Sequence, residues 1–144
     1  MEIKVSLLEE KDLAECYALC ELVFNENGKF EDVKKSFVEL QNNKRYKFIV
    51  AKLNGKIVGY TTMIIINNLF DDKELATLWY VCTHPDYRKM GVGRKIFEEV
   101  ENIAKQENLS LIYFTSRFGN LNAHAFYNKL GYDDTKEKCF YKLF

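Results

Sequence analysis

Ile3, Val5 and Leu7 alternate with polar neighbours, the period of a strand with one buried face. From about Glu9 the period lengthens: Leu13, Cys16, Tyr17, Cys20, Val23 and Phe24 fall on one helical stripe. Residues 25–28 break that stripe. A second helix is predicted from about Glu31, with Val33, Phe37 and Leu40 inward and acids in its first turn, where the helix dipole favours them. Residues 47–53 and 56–66 are β-rich runs joined by Asn54-Gly55, a dipeptide that favours a tight primed hairpin turn. A polar loop spans 67–73, and 75–83 reads as a strand apolar on both faces, as a central strand should be. Ile96, Phe97, Val100, Ile103 and Ala104 mark a long helix between Gly91 and Asn108. A buried strand at 111–115 follows, then a short helix at 121–130 stopped by Gly131 at the left-handed cap position, and a closing strand at 138–144.

The predicted order is β-α-α-β-β-β-α-β-α-β. Strand, helix and strand across 75–115 form a right-handed crossover between parallel strands, and an antiparallel hairpin precedes it. The fold class is therefore α+β, layered, with a mixed sheet flanked by helices. No linker, repeat or low-complexity stretch divides residues 1–144, so a single domain is expected. With 144 residues, about 70% of the unfolded surface can be buried. Eleven Phe, nine Tyr and Trp79 supply a core and exclude a disordered chain.

Twenty-one basic residues balance 21 acidic ones, so no global positive field exists to hold nucleic acid. No apolar run nears the roughly 18 residues needed to cross a bilayer, and the first residues lack the layout of a signal peptide. A cytoplasmic protein with no membrane partner is the expectation. Cys16, Cys20, Cys82 and Cys139 then read as reduced thiols, and with only two His the chain offers no four-ligand metal spacing.

Local chemistry concentrates in residues 81–94, V-C-T-H-P-D-Y-R-K-M-G-V-G-R. A strand ends at Pro85, and a short loop with Gly91 and Gly93 opens the long helix. Helix starts leave backbone N–H groups unpaired and carry about half a positive charge. Glycines there let a phosphate approach the backbone. Arg88, Lys89, Arg94 and Lys95 add four cations with no acid among them. The loop lacks the G-x-x-x-x-G-K-[ST] pattern of nucleoside triphosphatases. It also lacks the third glycine and downstream acid of dinucleotide-binding folds. Read alone, it is either an anion site or a solvated helix start with ordinary turn glycines.

The segment V-C-T-H-P-D-Y-R-K-M-G-V-G resembles the acetyl-CoA-binding motif of the GNAT superfamily of N-acetyltransferases, V-x-x-x-P-x-x-[RQ]-x-x-G-x-[GA]. Downstream, N-L-N-A-H-A-F-Y-N-K-L-G-Y at 120–132 is similar to the family's N-x-x-A-x-x-[LF]-Y-x-x-x-G-[FY]. The order of elements over the whole chain also agrees. This resemblance implies a GNAT-like, mostly antiparallel sheet with its parallel crossover at the cofactor site.

It further implies transfer of an acetyl group from acetyl-CoA to a primary amine by direct attack on the thioester. The pantetheine arm would lie along Val81, Cys82 and Thr83, and the pyrophosphate on backbone N–H groups of Arg88, Lys89, Met90, Gly91, Val92 and Gly93. Asn120 matches the residue that contacts the cofactor arm, and Tyr127 matches the general acid that protonates the leaving thiolate. The tetrahedral oxyanion would meet the backbone N–H near Val81.

Many relatives carry a base Glu on the strand before the motif; here that stretch is Thr77-Leu78-Trp79-Tyr80. Water chains, or Glu26, Asp71, Asp72 or Glu74, are the alternatives. Trp79 and Tyr80 could wall the acceptor site or simply pack. Cys82 and His84, two apart on a strand, could share a face, the minimum for an acyl-cysteine route, and His124 is either structural or part of the acceptor cleft. A non-catalytic acyl-CoA sensor on the same fold is the competing function. The acceptor class stays open between a small-molecule amine and a peptide, and the closing strand is a candidate homodimer edge.

Overall fold

The structure, a computed structural model, describes residues 2–144. The chain divides into two compact units, one ending at Tyr113 and the other spanning Phe114–Phe144.

The first unit holds a five-stranded sheet in the order β1-β2-β3-β4-β5. Its strands are β1 (Ile3–Leu7), β2 (Tyr46–Leu53), β3 (Lys56–Ile66), β4 (Leu75–Thr83) and β5 (Ile112–Tyr113). The first three pairings are antiparallel and β4–β5 is parallel, so the sheet is mixed and mostly antiparallel. Asn54 and Gly55 both take positive φ, 52° and 79°, as a primed two-residue hairpin turn requires.

Three helices cover this sheet: α1 (Leu13–Phe24), α2 (Phe30–Leu40) and α3 (Val92–Gln106). A 3-10 turn at Glu10–Asp12 leads into α1, and Lys52 of β2 reaches back to Asp12 at 2.7 Å. Cys16, Leu19 and Cys20 of α1 and Phe37 of α2 join Tyr60 and Cys82 in one buried cluster. Gly59, the neighbour of Tyr60, points the opposite way, toward Val92 and Ile96 of α3. Helices therefore pack on both faces. On α3 the buried set is Val92, Ile96, Phe97, Val100 and Ile103, the stripe expected from the sequence.

In the second unit, α4 (Leu121–Lys129) is followed by Gly131 at φ 97°. Phe114 packs edge-on against Tyr127 at 4.8 Å and tilted against Tyr132 at 5.3 Å.

Two predicted strands are altered. The strand expected at 111–115 is confined to Ile112–Tyr113. The closing strand expected at 138–144 is absent: those residues join no ladder, and Phe140, Tyr141, Leu143 and Phe144 are exposed. An apolar alternation gains a strand's hydrogen bonds only from a neighbouring edge, and without them nothing offsets the entropy of ordering the backbone.

Candidate active site

The site is built on an irregularity in β4. Tyr60 pairs with Cys82 and Thr62 with Trp79, so the single residue Thr61 faces two, Tyr80 and Val81. That is a β-bulge, and Tyr80 takes the left-handed conformation, φ 57°, to form it. The strain is held by Thr61, which is fully buried and donates its hydroxyl to the Trp79 carbonyl at 3.1 Å. Neighbouring Tyr60 and Thr62 share a further hydroxyl hydrogen bond of 2.5 Å. Meanwhile the β4–β5 ladder consists of Ala76↔Ile112 and Thr77↔Tyr113, so residues 78–83 run on past it. Val81, Cys82 and Thr83 lie on that stretch.

Beyond Thr83 the chain turns sharply. The His84 N–H donates to the Val58 carbonyl at 2.8 Å, and its Nδ1 accepts from the Asp86 N–H at 3.1 Å. Pro85–Tyr87 form a single 3-10 turn, with the His84 ring edge-on to Tyr87 at 5.3 Å. Lys89 at φ 63° and Gly91 at φ 88° then reverse the chain into α3. No side chain caps α3 and its first turn contains no acid, whereas α2 begins with Glu31 and Asp32. Its N-terminal N–H groups and dipole are thus left for an external anion. Arg88, Lys89, Met90 and Gly91 are exposed, Gly93 is partly so, and Val92 is buried as an anchor.

That anchor depends on Gly59. A Cβ there would stand 2.6 Å from Val92 Cγ1 and 2.8 Å from Ile96 Cδ1, so only glycine lets α3 start this close to β3. Gly59 and Thr61 were not singled out from the sequence. A glycine inside a β-rich run is a signal for close backbone approach, whereas nothing in the sequence marks Thr61.

Three thiols lie beneath the bulge. Cys16, Cys20 and Cys82 are buried, and Cys139 is exposed. Hydrogen bonding to Cys20, together with burial, pushes the Cys16 and Cys82 thiols up, away from the thiolate form. His84 spends its Nδ1 on the Asp86 amide. Cys82 therefore has neither thiolate character nor a free imidazole nitrogen at Nδ1, and the acyl-cysteine route has no support in this geometry.

The loop acids considered as bases are variously engaged. Glu74 pairs with Arg45, and Asp71 accepts from the Asn68 side-chain amide at 2.5 Å. Trp79 is 56% exposed, not packed into a core. Tyr80 is partly buried against Phe24 of α1, ring centres 5.0 Å apart and edge-on. Burial, then Glu26 and other negative neighbours, push its hydroxyl up.

The other two predicted site residues belong to the second unit. Asn120 is the N-cap residue of α4, its carbonyl receiving the His124 N–H at 3.0 Å. Tyr127 lies on α4, its ring held by Phe114 and Phe126. On the same helix His124 Nε2 meets Ser116 Oγ at 3.2 Å, which gives that ring a local structural partner. Among the described residues no group of His, Cys, Asp or Glu is arranged to hold a metal ion.

A bulged strand leading through a glycine loop into an uncapped helix is the arrangement of an acyl-carrier-dependent transferase, and comparison with known families agrees. The chain belongs to the acetyltransferase (GNAT) family, whose family model matches residues 12–132. It is 24% identical over 131 residues to the [ribosomal protein bS18]-alanine N-acetyltransferase of Escherichia coli, covering 90% of this chain and 80% of that protein. Its fold matches that of glucosamine-6-phosphate N-acetyltransferase from Arabidopsis thaliana, with a TM-score of 0.85, 19% identity and coverage of 100% and 99% of the two chains. A structure described as a transcriptional regulator from Bacillus halodurans matches with a TM-score of 0.87, 21% identity and coverage of 99% and 100%. At these identities the structural likeness concerns the fold.

Proposed function

We propose that this acetyltransferase moves an acetyl group from acetyl-CoA to a primary amine by direct attack on the thioester. The observation that carries the reading is the continuity of β4 with α3. A strand stretch beyond its ladder leads, through Lys89 and Gly91 at positive φ, into a helix start without cap or acid. The amide-rich pantetheine arm suits backbone groups of Val81, Cys82 and Thr83. The pyrophosphate suits the N–H groups of Arg88, Lys89, Met90, Gly91, Val92 and Gly93. Asn120 adds a contact to the arm, and residues 1–144 act as one domain, in keeping with a family match that runs through both units. A cytoplasmic location is part of the reading; among the described residues no helix is long and apolar enough to cross a membrane.

In the reaction the amine lone pair attacks the carbonyl carbon, and the backbone N–H near Val81 receives the oxyanion. The bulge fixes the direction of that N–H before substrate arrives, which is what oxyanion stabilisation requires. Collapse breaks the C–S bond. Tyr127 gives its proton to the departing thiolate. The acetylated amide and the free thiol leave.

The name of the Escherichia coli relative points to a peptide α-amine as the first acceptor to try. The test is thiol release from acetyl-CoA across a panel of peptides with free N-termini, polyamines and amino sugars. Release that depends on one acceptor class establishes the reaction. Tight acetyl-CoA binding with no transfer to any of these amines would establish the acyl-CoA sensor instead.

A further inference from the structure

Glu21, in the last turn of α1, has a carboxylate oxygen, Oε2, that is buried and meets no hydrogen-bond donor. The residue as a whole keeps partial exposure. Buried carboxylate oxygens are normally satisfied, and one that is not calls for a reason outside folding. Other acids of this unit have partners: Glu15 accepts from the Ile57 N–H at 2.9 Å, Asp12 from Lys52 and Glu74 from Arg45. Glu21 forms no ion pair among the described residues.

Its place in the fold is specific. The preceding residue, Cys20, packs in the same cluster as Tyr60 and Cys82, and Phe24 meets the Tyr80 ring edge-on at 5.0 Å. Glu21 therefore lies between two residues of α1 that contact the bulged part of β4. Its charge is among those that, behind burial and Glu26, push the Tyr80 hydroxyl up. Of the titratable groups at this end of α1, Glu26 and Cys20 bear on Tyr80 of β4 together with Glu21. None of these is a cation.

We propose that Glu21 is the proton acceptor for the incoming amine, supplied by α1 because β4 carries Trp79 and Tyr80 where a carboxylate could have stood. The role rests on the transferase reading above, and it makes the acceptor a primary amine that arrives as its ammonium ion. One ammonium proton passes to the Glu21 carboxylate and then to solvent. The freed lone pair forms the N–C bond, and the carbonyl re-forms as the C–S bond breaks. Tyr127 protonates the departing sulfur and is reprotonated by a second proton from the nitrogen. The third stays on the amide, so charge and atoms balance.

The test compares Glu21→Gln with the unaltered chain in thiol release from acetyl-CoA, using a short peptide with a free N-terminal alanine. General bases contribute about 100-fold or more, so kcat/KM of the variant should fall by about that factor below the amine pKa of about 8. Above that pKa the peptide arrives already neutral, and the gap should close to within about threefold. Acetyl-CoA affinity should not change. Glu21→Met, which removes the unmatched oxygen, should keep or raise Tm while losing the same activity.

A Gln variant within about twofold of the parent at every pH would overturn the proposal. So would a loss that is equal at all pH values and accompanied by a lowered Tm, since that is a structural role. If the unaltered chain releases no thiol with this peptide or with any amine of the panel, the transferase reading falls and takes this role with it. That result is distinct from an active parent with an indifferent variant.

Discussion

Gly59→Ala probes how the glycine loop at the start of α3 is held. The new methyl would sit 2.6 Å from Val92 Cγ1 and 2.8 Å from Ile96 Cδ1, with the Cys82 carbonyl at 3.3 Å. Carbon atoms prefer about 3.5–4.0 Å, so the helix or the strand must give by about 1 Å. Neither side chain can swing aside easily: both are β-branched, set on a helix, and 1% exposed. Overpacking of this kind costs about 1–3 kcal/mol. The stiffer unfolded chain returns about 0.4–1 kcal/mol. The net is about 0.5–2.5 kcal/mol, so at about 2–4 °C per kcal/mol for a chain near this size Tm should fall by about 1–10 °C.

The more telling readout is ligand affinity. Val92 is the first residue of α3, so its displacement moves the N–H groups assigned to the pyrophosphate. Loss of one charge-assisted hydrogen bond, about 1.5–3 kcal/mol, weakens acetyl-CoA binding about 10- to 100-fold. Calorimetric titration and thermal melts measure the two effects. Adding Val92→Ala should relieve part of the strain, so the double variant should lose less than the sum of the singles. A Gly59→Ala protein with parental Tm and parental acetyl-CoA affinity would refute the argument that α3 needs this close approach.

Thr61→Val keeps the shape of the buried side chain but deletes the hydroxyl bonded to the Trp79 carbonyl. It should cost about 1–2 kcal/mol in a denaturant melt and lower kcat/KM more than acetyl-CoA affinity, because the bulge sets the oxyanion N–H. Tyr127→Phe should lower kcat while leaving acetyl-CoA affinity nearly unchanged; equal turnover would remove Tyr127 as the acid. A chromogenic disulfide reagent should count one reactive thiol, Cys139, in the native protein and four after denaturation, since Cys16, Cys20 and Cys82 are buried. More than one fast native thiol would contradict that cluster.

Much of this architecture is legible from residue periodicity. The stripes of α1 and α3, the Asn54-Gly55 turn and the bounds of β3 and β4 follow from local pattern, because each depends on neighbours within a turn or a hairpin. The loop proposed for the pyrophosphate is legible for the same reason: glycines, cations and a helix start are contiguous in residues 81–94. Legibility fails where the cause lies elsewhere in the chain. Residues 138–144 alternate like a strand but join no ladder. Thr61 looks like any strand threonine until its hydroxyl is seen on the Trp79 carbonyl. Glu21 looks like a surface acid on α1, and only the packing of Cys20 and Phe24 against β4 shows where its carboxylate sits. The two-sided apolarity of 75–83 holds over Ala76, Thr77 and Leu78, which are buried in succession within the sheet, while Trp79 at the bulge is exposed.

The extra residue opposite Thr61 also acts as a phase shifter. In a regular strand Trp79 and Cys82, three apart, would face opposite ways; here both pair with residues on the Tyr60–Thr62 face of β3. Deleting one residue at 80 or 81 would restore the regular alternation, and everything downstream through the glycine loop would have to rotate to the other side of the sheet. Length changes should thus be tolerated in the loop at 67–73 and rejected at the bulge. The alignment of α1 with the glycine loop depends less on which residue stands at 80 than on there being a residue there at all.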